Sequence, residues 1–292
     1  MKTNITLNAR PLFRALYVLL FMCTAFLAMP RPASAQIYVS QFTPGVVGEY
    51  DEKTGEVINA SFITGLTGPN EIILKGDDLL IAEVGGVVGK YNAKTGAAIS
   101  QSFITGTNFV PVGLAVSGED LFVASAGDGT VGKYNVNTGK AIKLGLITGL
   151  PTGPGGDVVF GLGVLGADLF VTNTSANAVV KFNARTGKAI GTPLDLAEPY
   201  GIAFHAGKIF VCSTSSDAIA EYTDTGKLVN ANFITGLEVP FLITILGDTL
   251  FVTEAGLGAV GTYNVKTGAV INLGFVSGLN DPVGIAVKAQ SK

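Results

Sequence analysis

The sequence predicts an all-β chain folded as a six-bladed β-propeller. Its blades are four-stranded, and one C-terminal strand closes the ring against three N-terminal strands. Three observations predict it. A strand-and-turn phrase returns six times: VGEYDEKTG at 47, VGKYNAKTG at 88, VGKYNVNTG at 131, VVKFNARTG at 179, IAEYTDTG at 219 and VGTYNVKTG at 260. The aromatic of each copy (Tyr50, Tyr91, Tyr134, Phe182, Tyr222, Tyr263) recurs at intervals of 41, 43, 48, 40 and 41 residues, the period of propeller blades. Glycine makes up 39 of 292 residues, and no stretch carries the apolar period of an amphipathic helix.

Residues 1–35 read as a secretory signal peptide. Lys2, Arg10 and Arg14 form a positive head, ALYVLLFMCTAFLAM follows from Ala15, and ASA at 33–35 offers a small-residue cleavage site. The propeller domain is then 36–292. The apolar run is short for a membrane span, and no later stretch is long enough for one. The expectation is an exported protein, periplasmic or extracellular, monomeric, with no transmembrane segment in the mature chain. Cys212 alone of the two cysteines lies beyond the signal, so the core must hold the fold without an intramolecular disulfide. A net charge of −3, 14% charged residues and no basic block argue against a nucleic-acid partner.

Within one repeat the strands follow from alternation and turn residues. PVGLAV (111–116) is first, DLFVAS (120–125) second, TVGKYN (130–135) third and KAIKLGLI (140–147) fourth. Gly118 and Gly139 supply the positive φ that the intervening tight turns require. The fourth strand often ends in FITGL, at 62–66 and 233–237. DPVGIAV (281–287) is a first strand without successors, and QIYVSQ (36–41) a second strand without a predecessor. Joined, they complete one blade and remove the free edges of an open ring.

The wording P-x-G-[LI]-A-V, then LFV, then VGKYN resembles the bacterial NHL and YVTN-type propeller repeats across 36–292. That resemblance implies an exported repeat propeller and says little about activity, because propellers host binders and enzymes alike.

Candidate chemistry is sparse. GLGVLG at 161–166 has dinucleotide-motif spacing but aligns with the strand and turn GLAVSG, and it reads as a strand. His205, the single histidine, and Cys212 fall at opposite ends of one strand, too far apart for a catalytic pair. Lys53, Lys94, Arg185 and Lys266 precede the Thr-Gly of their turns and read as solvated rim residues.

The opposite rim offers more. The residue ending each second strand is Gln41, Glu83, Ser125, Asn173, Ser213 or Glu254, and Glu71 stands where most first strands carry glycine. Glu71, Glu83, Asn173 and Glu254 together would offer oxygen ligands to a hard cation such as Ca²⁺. This partial pattern is similar to the gluconolactonase-type propellers, which would imply a metal-dependent lactonase or hydrolase. Beside them Phe160, Tyr200 and Phe241 fall on three consecutive blades, an aromatic wall of the kind that binding sites use. With no nucleophile–base pair in view, the leading expectation is a scaffold that binds a protein, peptide or glycan partner.

Overall fold

The computed structural model describes residues 35–151 and 161–288. Apart from Ala35, the segment read as a signal peptide lies outside them. The described residues form a six-bladed propeller of antiparallel four-stranded sheets without helices. The first blade contains β1 (Gln36–Gln41), β2 (Val46–Asp51) and β3 (Val57–Thr64). The second runs β4 (Pro69–Lys75), β5 (Asp78–Glu83), β6 (Val87–Asn92) and β7 (Ala98–Thr105); the third β8 (Pro111–Ser117), β9 (Asp120–Ser125), β10 (Thr130–Asn135) and β11 (Ala141–Ile147). The fourth has β12 (Leu162–Leu165), β13 (Asp168–Asn173), β14 (Ala178–Asn183) and β15 (Leu194–Asp195). The fifth has β16 (Pro199–His205), β17 (Lys208–Ser213), β18 (Ala218–Thr223) and β19 (Leu228–Thr235). The sixth has β20 (Pro240–Leu246), β21 (Thr249–Glu254), β22 (Ala259–Asn264) and β23 (Val270–Ser277). Finally β24 (Pro282–Lys288) pairs with β1, Ile37 opposite Val287, and completes the first blade. The dinucleotide-like GLGVLG is strand β12 and its turn.

Position in the blade sets composition. Second strands are wholly buried after their first residue, which is why they read LFV and LLI rather than alternating. Proline opens β4, β8, β16, β20 and β24, the first residue of a strand being where its missing N–H is tolerated. Outer strands end the sheets. Val57, Ile99, Ile142, Val229 and Ile271 on them are more than half exposed. A bulge interrupts this edge: Asn59 Oδ1 accepts the Ser61 N–H at 3.1 Å, as Asn272 does from Gly274. Such bulges twist an edge away from foreign strands.

Four of the six copies keep an ion pair between the second and third strands. In three blades a lysine on the third strand pairs with the aspartate that opens the second: Lys90–Asp78 at 2.8 Å, Lys133–Asp120 at 2.7 Å and Lys181–Asp168 at 3.2 Å. In the fifth blade the charges are exchanged, and Lys208 pairs with Glu221. Two residues before the anchor tyrosine, Gly48, Gly89, Gly132 and Gly261 make room for the ring in four blades, and Ala220 stands there before Tyr222. A Cβ at Gly48 would lie 2.3 Å from Tyr50 Oη, and one at Gly132 would lie 2.7 Å from the Tyr134 ring. Where that glycine is Val180, the anchor is Phe182, which lacks the hydroxyl.

The Asn-x-x-Thr-Gly turn has two purposes. Asn92 Oδ1 accepts the N–H groups of Lys94 and Thr95 at 2.9 and 3.1 Å, and Gly96 follows at φ 70°. Gly96 also abuts the preceding blade: a Cβ there would lie 2.3 Å from the carbonyl oxygen of Phe62, the Phe of FITGL. Gly55, Gly139 and Gly268 meet the carbonyls of Phe275, Phe103 and Phe233 in the same way, so the two recurrent phrases are halves of one inter-blade contact. On this rim Lys94 pairs with Asp77 and Lys266 with Asp248, each at 2.6 Å.

Gly118 has positive φ but open space around its Cβ position. Gly118→Ala should therefore cost about 1 kcal/mol, the left-handed penalty alone. Gly96→Ala should cost clearly more, because a blade must also shift. Chemical denaturation of both variants checks this, and equal losses would contradict the inter-blade contact.

Candidate binding face and channel

On one face of the ring, second strands end opposite the prolines that open first strands: Glu83 faces Pro69, Ser125 Pro111, Ser213 Pro199, and Glu254 Pro240. The side chains ending second strands fasten the link that enters their own blade. Glu83 Oε2 accepts the Thr67 N–H at 2.9 Å, and its Oε1 accepts the Tyr91 hydroxyl at 3.3 Å. Glu254 repeats this with the Glu238 N–H at 3.1 Å and Tyr263 Oη at 2.9 Å. Gln41 accepts from Asn280 N at 2.8 Å and Ser125 from Val110 N at 3.2 Å, while Ser213 Oγ donates to the Ala197 carbonyl at 2.6 Å. Asn173 turns to its own loop, accepting from Ala176 N at 2.9 Å, and its buried Nδ2 has no hydrogen-bond partner among the described residues. The anchor in that blade is Phe182, with no hydroxyl to offer.

Burial pushes the carboxyls of Glu83 and Glu254 up, partly offset by the N–H and hydroxyl groups that donate to them. Burial and the adjacent carboxylate push the Tyr91 and Tyr263 hydroxyls up, keeping both protonated as donors.

Glu71 behaves differently. It is the third residue of β4, reaches across to the third blade, and accepts the Leu114 N–H at 2.6 Å. It lines a channel of about 410 Å³ along the axis, so protein surrounds it on all sides while it keeps access to the channel. Burial holds its carboxyl well above the usual carboxylate range, the Leu114 N–H opposing. The three glutamates thus turn to three separate backbone N–H groups. Among the described residues no three His, Cys, Asp or Glu side chains gather in a group able to hold a metal ion.

Other expected residues fall into place. Tyr200 and Phe241, second in β16 and β20, meet edge to face with centroids 5.0 Å apart, and both are half-buried. Phe160 lies outside the described residues. His205 ends β16 opposite Lys208, and buried Cys212 is four residues further along β17, about 13 Å away at 3.3 Å per residue.

A set of hydroxyls was not foreseen. Ser40 Oγ accepts the Gly284 N–H and donates to the Asn70 carbonyl in the next blade, both at 2.7 Å. Thr253 Oγ1 accepts from Leu242 N at 3.0 Å and donates to Val283 O at 2.7 Å. Thr172 binds the Gly161 N–H at 2.7 Å. The signal was the small residue one before the end of each second strand (Ser40, Ala82, Ala124, Thr172, Cys212, Thr253), which carries a hydroxyl in three blades.

No protein-family model matches the chain. No curated protein matches it by sequence. Solved structures do match in fold. A chain of the nidogen/laminin complex is similar with a TM-score of 0.74 at 13% identity, covering 87% of this chain and 98% of that one. A protein of unknown function from Bacteroides caccae is similar at 0.68 and 13% identity, covering 88% and 100%. Streptogramin B lyase is similar at 0.63 and 18% identity, covering 89% of both chains. At these identities the likeness is one of fold.

Two expectations follow. Tyr263→Phe leaves a buried carboxylate oxygen of Glu254 without its donor and should cost about 1–3 kcal/mol. In the Glu254→Gln background the same change should cost less, and a double-mutant cycle by urea denaturation that shows additivity would contradict the pairing. The second concerns pH. Glu49, Glu71, Glu83 and Glu254 all have raised pKa values, burial being the main cause in each. The native state then holds protons that the unfolded chain releases, so their stabilising contribution is full below about 4.3, the ordinary glutamate value, and is lost as the pH rises through the raised values. Melting should be higher at pH 5 than at pH 8, with Glu71→Gln shrinking the difference. A melting temperature unchanged between the two would contradict the burial of these groups.

Proposed function

We propose that this chain is an exported, NHL-like propeller that works as a monomeric, non-enzymatic binding scaffold, holding a segment of a partner protein on the face that carries Tyr200 and Phe241. The observation that carries the reading is their contact: two half-buried aromatic rings 5.0 Å apart at the channel mouth. Gln41, Glu83, Ser125, Ser213 and Glu254 are taken up by backbone links, which leaves aromatic surface as the main thing this face offers a ligand. The separation of His205 from Cys212 and the dispersal of the three glutamates support binding over metal-dependent hydrolysis. The similarity to a chain of the nidogen/laminin complex, itself a protein–protein assembly, favours a protein over a glycan. The charged, apolar-centred head of the sequence supports export to the periplasm or beyond.

Selection of a random displayed peptide library against the mature chain tests this. Enriched peptides should bind at least about tenfold more weakly, roughly 1.4 kcal/mol, to a folded Tyr200→Ala/Phe241→Ala variant. Peptides that bind both proteins equally, or glycan binding without peptide binding, would overturn the reading.

A further inference from the structure

The axial channel is a site of its own. Each blade contributes one partly exposed side chain to its lining: Val287, Ile73, Val116, Val164, Phe204 and Thr244. Among the residues lining it, Glu71 is the ionisable group, and Thr244 is the other polar side chain. Its position is a consequence of crowding. At the equivalent places of other blades a Cβ would collide with the next blade, 2.4 Å from Tyr200 O at Gly161 and 2.2 Å from Asn70 O at Gly284. Two blades depart from glycine at this place, the sixth with Leu242 and the second with Glu71, and Glu71 alone brings a charge. Its carboxylate is fixed by the Leu114 N–H at Oε2, and Oε1 takes no hydrogen bond from any described residue.

We propose that the channel binds a primary ammonium group carried on a short alkyl chain, Glu71 receiving the ammonium and the partly exposed apolar lining the methylenes. The chemistry selects this ligand among charged alternatives. A divalent cation needs more oxygens than Glu71 and Thr244 supply. A guanidinium seeks both carboxylate oxygens in parallel, and Oε2 is already engaged. An anion would meet a carboxylate. An ammonium needs one free oxygen and offers three donors, and a volume of about 410 Å³ suits an alkyl chain of a few carbons. In the free protein burial keeps the Glu71 carboxyl protonated well above its ordinary range, and an incoming cation supplies the missing countercharge. The same group occurs on free alkylamines and on lysine side chains. The inference rests on the channel alone and does not depend on the Tyr200–Phe241 contact.

Isothermal titration of the mature chain with n-pentylamine, n-pentanol and pentanoate at pH 8 tests the proposal on the unaltered protein. A capped lysine tripeptide, with a norleucine control, separates a free amine from a lysine side chain. The amine should bind and the alcohol and carboxylate should not. Glu71→Gln, which retains an acceptor for Leu114 N, should weaken amine binding about tenfold or more as a charge-assisted bond becomes neutral. Equal binding of amine and alcohol would reduce the channel to an apolar hole. No amine binding at millimolar concentration, or undiminished binding to a folded Glu71→Gln protein, would likewise overturn the proposal.

Discussion

Crowding at the axis is the constraint on which the rest of the ring depends. Six innermost strands converge there, and where the third residue is glycine the backbone of the next blade lies closer than a side chain allows. Gly161, Gly201 and Gly284 satisfy this by having none: a Cβ at each would lie 2.4, 2.7 and 2.2 Å from an atom of the following blade. Bulges between the opening proline and the third or fourth residue let the strand bend at that level. In two bulged blades the N–H loosened there finds a hydroxyl, Gly284 at Ser40 and Leu242 at Thr253. Further out the wedge widens, and tyrosine and phenylalanine fill it. The gradient from glycine to aromatic within forty residues is thus a map of radius.

The same geometry accounts for what the polar rim does. A residue ending a second strand sits beside the link that enters its blade, where buried N–H groups would otherwise go unpaired. Glutamate reaches two donors at once, the link and the anchor tyrosine, as Glu83 and Glu254 do. Serine and glutamine reach one. These residues vary between blades because several polar side chains can reach the link, as acceptors at Gln41, Glu83, Ser125 and Glu254 and as a donor at Ser213.

Much of this was legible beforehand. The period, the proline starts, the Thr-Gly turns and the completion of the first blade by β24 are statements about strand length and turn conformation, which neighbouring residues determine. The strands expected at 111–116, 120–125 and 130–135 stand within a residue of β8, β9 and β10. The roles of Glu83 and Glu254 were not legible, because alternation shows that a side chain ends a strand and not which N–H waits beside it. The pairing of Gly96 with Phe62 joins residues of different blades that each looked complete in its own turn. By contrast, the meeting of Tyr200 and Phe241 could be read from alignment of the repeats, since equal positions in adjacent blades are neighbours by construction.

The pairing of β24 with β1 has a consequence in time. Hairpins within a blade form between residues a few positions apart, and loop closure makes them quick. Gln36 meets Lys288 only after every intervening blade has been made and stacked. Until then the first blade lacks its innermost strand, and the apolar flank of β1 is open to water. The ring therefore has a single slow, long-range closing step set by topology. A chain held unfolded until it is whole would avoid waiting in that half-built state.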